Sequence, residues 1–164
     1  MESYQPKDAK ELKELAAAWV GKQDLQIVMA PEVSVYENGQ EFRFDFLALR
    51  PYQRYTLWGF ECKMSRQDFL QDRKWSHYLN HTNLFYFVCK DESIIDVKEL
   101  PRQVGLLYCT RTPAGTPMLR AKRKASYVNL ANETQQLLNT TMMILRNKIQ
   151  VIAYYDRAYG MHQP

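Results

Sequence analysis

An almost uninterrupted apolar run near the middle of the chain limits the fold more than any other feature. It extends from Asn83 to Cys89 with the sequence NLFYFVC, and polar and apolar residues do not alternate along it. Such a run is typical of a strand that is buried on both faces, which occurs in parallel or mixed sheets covered by helices. The chain is therefore predicted to form an α/β fold with a mixed central sheet flanked by helices.

The segments before this run predict one helix, three consecutive strands and a second helix. Helical spacing follows Asp8, which forms a capping box with Glu11, and it ends at Gly21. Strand-like segments follow at 25–36, 42–49 and 55–63, with a turn at 37–39 between the first two. A second capping box at Ser65 and Asp68 opens a helix that is predicted to continue through Tyr78.

The segments after the run predict an extension of the core. A strand is expected at 105–109, a basic strand begins near 117, and residues 138–152 have the spacing of an amphipathic helix. With 164 residues the chain fits a single domain, 1–164, with a core at about 8–110 and a strand-and-helix extension at 117–157.

Composition excludes several classes of protein. Hydrophobic residues make up 46% and charged residues 24% of the chain, which excludes a disordered or collagen-like protein. No apolar run approaches the roughly 20 residues that a membrane span needs, and the charged N-terminus does not resemble a secretory signal, so a cytoplasmic location without membrane contact is expected. The three cysteines, Cys62, Cys89 and Cys109, form no CxxC pair and are expected to be reduced and buried.

Charge is distributed unevenly and points weakly to a polyanion. Residues 1–41 carry four Lys/Arg against eight Asp/Glu, whereas residues 42–164 carry eighteen against ten. A basic stretch without any acid contains Arg111, Arg120, Lys122, Arg123 and Lys124. It is typical either of a solvated face or of a surface that tracks a nucleic-acid backbone, and charge alone does not decide between the two.

Two neighbouring strands contain the residues with the clearest chemical meaning. Strict alternation places Phe42, Phe44, Phe46 and Ala48 on one face and Asp45 on the other with Leu47 and Leu49, while Leu57, Gly59, Glu61 and Lys63 share a face. If the hairpin turns symmetrically about Gln53, the opposing pairs are Asp45 with Glu61, Leu47 with Gly59 and Leu49 with Leu57. Two carboxylates would then lie about 5 Å apart at Cβ, which is unfavourable unless a cation or a proton lies between them.

This predicted pair suits a hard divalent ion. Mg²⁺ takes carboxylate and main-chain carbonyl oxygens and keeps water molecules for itself. The ammonium of Lys63 would orient or help deprotonate an attacking water and balance charge on a phosphate, and the helix that begins at Ser65 offers N–H groups to an anion. The pattern favours phosphodiester hydrolysis. The alternative is that Glu61 and Lys63 are a solvated pair and Asp45 an edge-strand charge.

A wider pattern surrounds these residues. Glu32 and the sequence RFD at 43–45 are followed by ECK at 61–63, SRQDF at 65–69, DRKWSHY at 72–78 and the aromatic strand FYFV at 85–88. Over roughly residues 32–110 this pattern resembles the PD-(D/E)XK nuclease superfamily, and most closely the MmcB-type DNA repair proteins. The pattern departs from the superfamily at Cys62, where an aliphatic residue is usual, and at Phe44, where a small residue is common.

The resemblance implies a restriction-endonuclease-like αβββαβ core and a site that holds Mg²⁺ or Mn²⁺. Its metal ligands carry over to Asp45, Glu61 and the main-chain carbonyl of Cys62, with Glu32 matching an acid that often joins the metal. Its catalytic residues carry over to Asp45, Glu61 and Lys63. Arg66, Arg73 and Lys74 then join Arg120, Lys122, Arg123 and Lys124 as the candidate nucleic-acid contacts.

The sequence thus predicts a metal-dependent DNA endonuclease that acts in DNA repair or on foreign DNA. The alternative is a non-catalytic DNA-binding or repair-complex accessory module that keeps the nuclease fold. RNA stays open as a substrate because 2′-hydroxyl contacts leave no readable motif, and both a monomer and a homodimer stay open. His77 and His81 have the spacing of a zinc pair on a helix, but no third ligand is fixed by the sequence.

Overall fold

The computed structural model describes residues 4–23, 27–50 and 56–131. This part of the chain forms three α-helices and six strands, and a short 3₁₀ helix spans Val97–Glu99. The helices are α1 (Ala9–Gly21), α2 (Arg66–Gln71) and α3 (Trp75–Tyr78). The strands are β1 (Val28–Glu37), β2 (Gln40–Arg50), β3 (Thr56–Lys63), β4 (Leu84–Cys89), β5 (Gly105–Arg111) and β6 (Pro117–Arg123). The predicted C-terminal helix at 138–152 lies outside the described residues.

The described strands form one mixed sheet in the order β1-β2-β3-β4-β5-β6. Strand β4 pairs in parallel with β3 and β5, and the other pairs are antiparallel. The β3–β4 connection carries α2 and α3, as parallel pairing requires a crossover. The predicted α/β class and mixed sheet are confirmed, and Phe85–Cys89 of the apolar run are buried.

Helices cover both faces of the sheet. Helix α1 packs Leu12, Ala16 and Val20 against a cluster that includes Phe46 and Phe60. On the other face, Phe69 of α2 and Tyr78 of α3 pack against a cluster on β2 and β4 that includes Phe44, Leu47 and Phe87. Tyr78 is 5% exposed, and Trp75 is partly buried against the same cluster. No helix of the described segments is long and apolar enough to cross a membrane.

The predicted alternation along β2 is wrong at its centre. Phe42 and Phe44 pack with Leu47 and Leu49, whereas Phe46 and Ala48 pack with α1 on the opposite face. The pairing register of β1 with β2 is unchanged across this point, but Glu32 on β1 has a left-handed backbone with φ of 52°. A residue in this conformation interrupts the pleat of its strand, so both paired strands change face beside it. On β2 the side chains change face at Asp45.

The predicted helix from Ser65 to Tyr78 is also wrong in one respect. It is divided into α2 and α3, because Asp72 has an extended backbone with φ of −78° and ψ of 102°. The Asp72 carboxylate accepts hydrogen bonds from the Lys74 N–H at 2.9 Å and from the Lys63 ammonium at 2.7 Å. The break therefore turns an acidic side chain from the helical segment toward the end of β3.

The helix and turn signals are otherwise reproduced. The Asp8 and Ser65 side chains accept the N–H groups of Glu11 and Asp68, as N-cap residues do. The Asp68 carboxylate accepts the N–H of Met64 rather than that of Ser65. Asn38 and Gly39 both have positive φ, as a two-residue hairpin turn requires.

Candidate metal centre and nucleic-acid interface

The register of β2 and β3 agrees with the symmetric hairpin that the sequence predicts. Leu47 pairs with Gly59 and Leu49 with Leu57, and the last paired residues are Phe46 and Phe60. One residue beyond this pair, the Asp45 carboxylate accepts the N–H of Cys62 at 2.8 Å. Asp45 is thereby fixed at the end of the β2–β3 ladder, directly beside Glu61.

Glu61 and Lys63 lie side by side at the C-terminal end of β3 and are almost fully buried. Glu61 is 8% exposed and Lys63 is 3% exposed. The Lys63 ammonium donates to Oε1 of Glu61 at 3.3 Å and to Asp72 at 2.7 Å, and it lies 3.9 Å from the Asp68 carboxylate. One cation is therefore shared by three acids at the end of a buried strand.

The two predicted metal ligands are held in an environment that disfavours their negative charge. Burial, and secondarily the charge of Asp45, raises the pKa of Glu61 to about 8, even though Lys63 acts in the opposite direction. Burial also raises the pKa of Asp45, against the hydrogen bond from the Cys62 N–H and the charge of Lys13. A cation beside these carboxylates would relieve both effects.

Lys63 is held as a cation. Burial by itself would lower its pKa, but the Glu61 and Asp72 carboxylates outweigh burial and raise the pKa above its ordinary value. An ammonium with a raised pKa donates hydrogen bonds and carries positive charge at neutral pH, but it does not accept a proton. Of the two roles that the sequence leaves open for Lys63, this favours orienting the water and balancing charge over deprotonating the water.

Glu32 is engaged by two cations. It forms ion pairs with Lys13 of α1 and, at 3.1 Å, with Nε of Arg43. The Lys13 ammonium also lies 4.0 Å from Oδ1 of Asp45. Lys13 therefore joins Glu32 to the rim of the site, and it holds a position that a metal ion at Asp45 would approach.

Cys62 points its thiol away from the acidic residues. Its side chain is 6% exposed and packs in the cluster beneath α1, on the face opposite Glu61 and Lys63. Burial raises the pKa of this thiol well above its ordinary value, so it stays protonated. At the site, the main-chain N–H of Cys62 donates to Asp45, and the carbonyl of Cys62 as a metal ligand stays a prediction. All three cysteines are buried and free, which confirms their predicted state.

Few protein side chains at this site are available to bind a divalent ion. Among the described residues, no three His, Cys, Asp or Glu side chains are grouped so that they could hold a metal, and this includes the pair His77 and His81. Mg²⁺, however, is commonly bound through one or two carboxylates, with water and substrate oxygens as the other ligands. Within the described segments, Oε2 of Glu61 is buried and has no hydrogen-bond partner. Asp45 and Glu61 therefore fit a Mg²⁺ or Mn²⁺ ion with few protein ligands.

Two of the predicted nucleic-acid contacts are tied to loops of the protein. Arg66 is paired with Glu99 and the carbonyl of Ile94, and Arg123 donates to the carbonyls of Val97, Leu100, Pro101 and Val104. These two arginines hold loops together. The other predicted contacts are exposed: Arg73 and Lys74 lie between α2 and α3, and Arg120, Lys122 and Lys124 lie on and after β6.

Two residues of the site carry no role in the sequence-based prediction. Lys13 occupies a polar position of the α1 sequence, which predicts a solvent-exposed side chain. No nearby residue in the sequence indicates that it contacts Glu32 or Asp45. Asp72 is part of the DRKWSHY sequence and lies inside the helix that the sequence predicts from Ser65 to Tyr78. The signal for Asp72 was present in that pattern, but its partner Lys63 is a tertiary neighbour.

Comparison with known proteins agrees with part of this picture. A model of the family described as "DNA repair protein MmcB-like" matches residues 6–149, which include every site residue above. Among solved structures, a protein of unknown function from Silicibacter pomeroyi is 24% identical, with a TM-score of 0.59 over 91% of this chain and 92% of that one. This second likeness concerns the fold. The comparison with curated proteins gave no match. Membership of the wider PD-(D/E)XK superfamily stays a prediction.

Proposed function

Because the chain belongs to the MmcB-like family of DNA repair proteins, we propose that it cleaves DNA as a metal-dependent endonuclease. The observation that carries this proposal is the buried, unpartnered Oε2 of Glu61 beside Asp45. A carboxyl oxygen without a hydrogen-bond partner costs free energy on burial. Its retention next to a second carboxylate is typical of a site that binds a cation.

The geometry supports one assignment of roles. Asp45 and Glu61 would hold the Mg²⁺ or Mn²⁺ ion, together with the carbonyl of Cys62. When bound, such an ion lowers the pKa of its water and stabilises charge on a phosphate. Lys63 donates hydrogen bonds at the same edge, so it positions the attacking water and balances the charge that builds on the phosphate. The ion pairs with Asp72 and Asp68 favour the charged form of the Lys63 ammonium and hold it in position.

A second function is favoured by one observation. Lys13 lies 4.0 Å from Asp45 and pairs with Glu32, so an ammonium already neutralises one side of the acidic group. A chain that only binds DNA, as a repair accessory, would need no more than this internal neutralisation. The two functions differ in whether added metal binds Asp45 and Glu61 and whether cleavage follows.

The test compares the parent with Asp45→Asn and Lys63→Ala on supercoiled, linear, single-stranded and branched DNA and on RNA, with Mg²⁺, Mn²⁺ or EDTA. We expect the parent to cleave DNA only with metal. Asp45→Asn should lose metal binding, and Lys63→Ala should retain metal binding but cleave on the order of 100-fold more slowly. Lys10→Ala, on the exposed side of α1, is the matched control and should behave like the parent.

Removing Lys63 leaves Glu61 and Asp72 without their cation, so the fold of each variant is checked by circular dichroism and thermal melting. Lys63→Gln keeps a hydrogen-bond donor without the charge and serves as a second variant. DNA binding without any metal-dependent cleavage by the parent would select the accessory function. Cleavage that persists undiminished in all variants would place the activity elsewhere.

A further inference from the structure

A row of paired residues connects Lys63 with the basic edge of the sheet. Lys63 pairs with Cys89 on β4, Cys89 with Tyr108 on β5, and Tyr108 with Arg120 on β6. Residues that are directly paired in neighbouring strands project from the same face of a sheet. Tyr108 and Arg120 therefore lie on the face that carries the Lys63 ammonium, at the same level of the sheet.

The far end of this row borders a cavity. Its volume is about 540 Å³, and it is lined by Asp91, Glu92, Tyr108, Cys109, Thr110, Arg120, Ala121 and Lys122. Tyr108 is partly exposed, and Arg120 and Lys122 are exposed. Cys109 is buried. The cavity thus combines an accessible aromatic ring with two cationic side chains.

The geometry points to this cavity as a subsite for one nucleotide of an unpaired DNA strand, with its base stacked on Tyr108 and its phosphate between Arg120 and Lys122. This inference rests on the proposed function, because the strand is the one whose neighbouring phosphates reach Lys63. An aromatic ring flanked by cations is how single strands are bound without a paired partner. A base inside a duplex cannot reach the ring, since it is stacked between its neighbours.

The spacing agrees with a continuous strand. Neighbouring strands of a sheet lie about 4.8 Å apart, so the three steps from β3 to β6 amount to roughly 14 Å. At the duplex rise of about 3.4 Å per nucleotide this corresponds to roughly four nucleotides, and to fewer in an extended single strand. Because Cys89 in this row is buried, the strand would pass over it, and the candidate metal centre and the cavity would be a few nucleotides apart.

The acidic residues of the cavity set the kind of base. The Lys122 ammonium donates to the main-chain carbonyl of Glu92 at 3.2 Å, which uses one of its three protons. Asp91 accepts two hydrogen bonds from Ser93, both at Oδ1. Carboxylates at the wall of a base-binding cavity accept the exocyclic amino group of cytosine, whereas thymine presents a carbonyl there and is repelled. Among pyrimidines, the cavity favours cytosine.

Binding is measured in EDTA by fluorescence anisotropy with labelled dC12, dT12 and a duplex of the same length. The parent should bind dC12 more tightly than dT12. Tyr108→Ala should weaken binding of dC12 by about 5-fold or more, the lower end of what stacking of one base contributes, and leave the duplex unchanged. Tyr108→Phe keeps the ring and should bind within about 2-fold of the parent. Tyr36→Ala, in the distant hairpin and 63% exposed, is the matched control.

The role of Arg120 and Lys122 is tested by the salt dependence of DNA binding. The double variant Arg120→Gln with Lys122→Gln should reduce the slope of log affinity against log salt by about 0.7 for dC12, since the subsite holds one phosphate between these two cations and each phosphate contact to a single strand contributes about 0.7. Lys10→Gln with Lys22→Gln, both exposed at α1, removes the same charge on the opposite side of the sheet and should change the slope little.

Unchanged dC12 binding by Tyr108→Ala, or an equal loss for the duplex, would overturn the subsite, and equal affinity for dC12 and dT12 would overturn the role of the carboxylates. Cleavage is scored separately with Mn²⁺. A parent that shows Tyr108-dependent binding but no cleavage keeps the subsite and refutes the nuclease. If cleavage depends on Lys63 but dC12 binding does not depend on Tyr108, the nuclease is kept and the subsite is refuted.

Discussion

Replacing Glu61 by Gln should stabilise the metal-free protein at alkaline pH. Unfolded Glu61 ionises near pH 4.5, whereas the folded carboxyl keeps its proton up to a pKa of about 8. Between these values the folded state binds more protons than the unfolded state, so the free energy of unfolding falls as pH rises. This contribution is fully present below pH 4.5 and is lost above about pH 8.

The magnitude follows from the size of the shift. One pKa unit corresponds to 1.36 kcal/mol, so moving this carboxyl from 4.5 to about 8 makes its ionised form about 4 to 5 kcal/mol less favourable in the folded protein. Glutamine has the same shape and carries no charge at any pH. It keeps an oxygen for the Lys63 ammonium, which also retains Asp72 at 2.7 Å.

Urea unfolding at pH 5, 6.5 and 8.5 in EDTA measures the effect. The difference between Glu61→Gln and the parent should grow with pH and reach a few kcal/mol at pH 8.5, because the contributions of titrating groups that do not interact with Glu61 cancel in the difference. Glu92→Gln, at an exposed position, is the matched control and should show a difference near zero at each pH.

The metal provides the complementary measurement. Mn²⁺ at pH 8.5 should raise the free energy of unfolding of the parent, because it binds the folded state, and should affect Glu61→Gln much less. A parent whose stability, relative to Glu61→Gln, is flat or increases from pH 5 to pH 8.5 in EDTA would refute the argument that burial holds this carboxyl in its protonated form.

Two further substitutions test the packing around the site and the basic edge. Gly59→Ala would place a Cβ 2.7 Å from the ring of Phe44 and 2.7 Å from the methyl of Thr82, so a loss of about 1 to 3 kcal/mol is expected in thermal or urea unfolding, and an unchanged midpoint would contradict this packing. Arg123→Gln removes charged hydrogen bonds to four carbonyls and should cost about 2 kcal/mol or more while leaving the salt dependence of DNA binding unchanged. Lys124→Gln should show the opposite pattern.

Turn symmetry was sufficient to predict how β2 and β3 pair. A hairpin that turns symmetrically about Gln53 places Leu47 opposite Gly59, and the structure has this pair. Gly59 gives room to the Phe44 ring and to Thr82, not to the metal site. The face of Phe44 could not be predicted, because it depends on the left-handed backbone of Glu32 on another strand.

The acids and the lysine of the site were readable from local spacing, but their partners were not. The pattern around Glu61 and Lys63 identifies which residues carry charge on a buried strand. The helix ends at Asp72, whose side chain pairs with Lys63. Helical periodicity in the sequence cannot predict such a tertiary contact, so it did not predict the break. Lys13 was missed for the same reason, since its nearest acids are Glu32 and Asp45 on β1 and β2.

The charges around Lys63 restrict how a proton can leave an attacking water. Lys63 is paired with Glu61 and Asp72, and these carboxylates raise its pKa, so accepting a proton would require it first to lose one from a strongly favoured ammonium. Glu61, with its pKa raised to about 8, is the group beside it whose protonation changes near neutral pH. A cation bound by Glu61 would keep that carboxyl ionised, so it could not also hold the proton. In the proposed hydrolysis, the water would therefore lose its proton to solvent or to a phosphate oxygen, with Lys63 contributing orientation and positive charge.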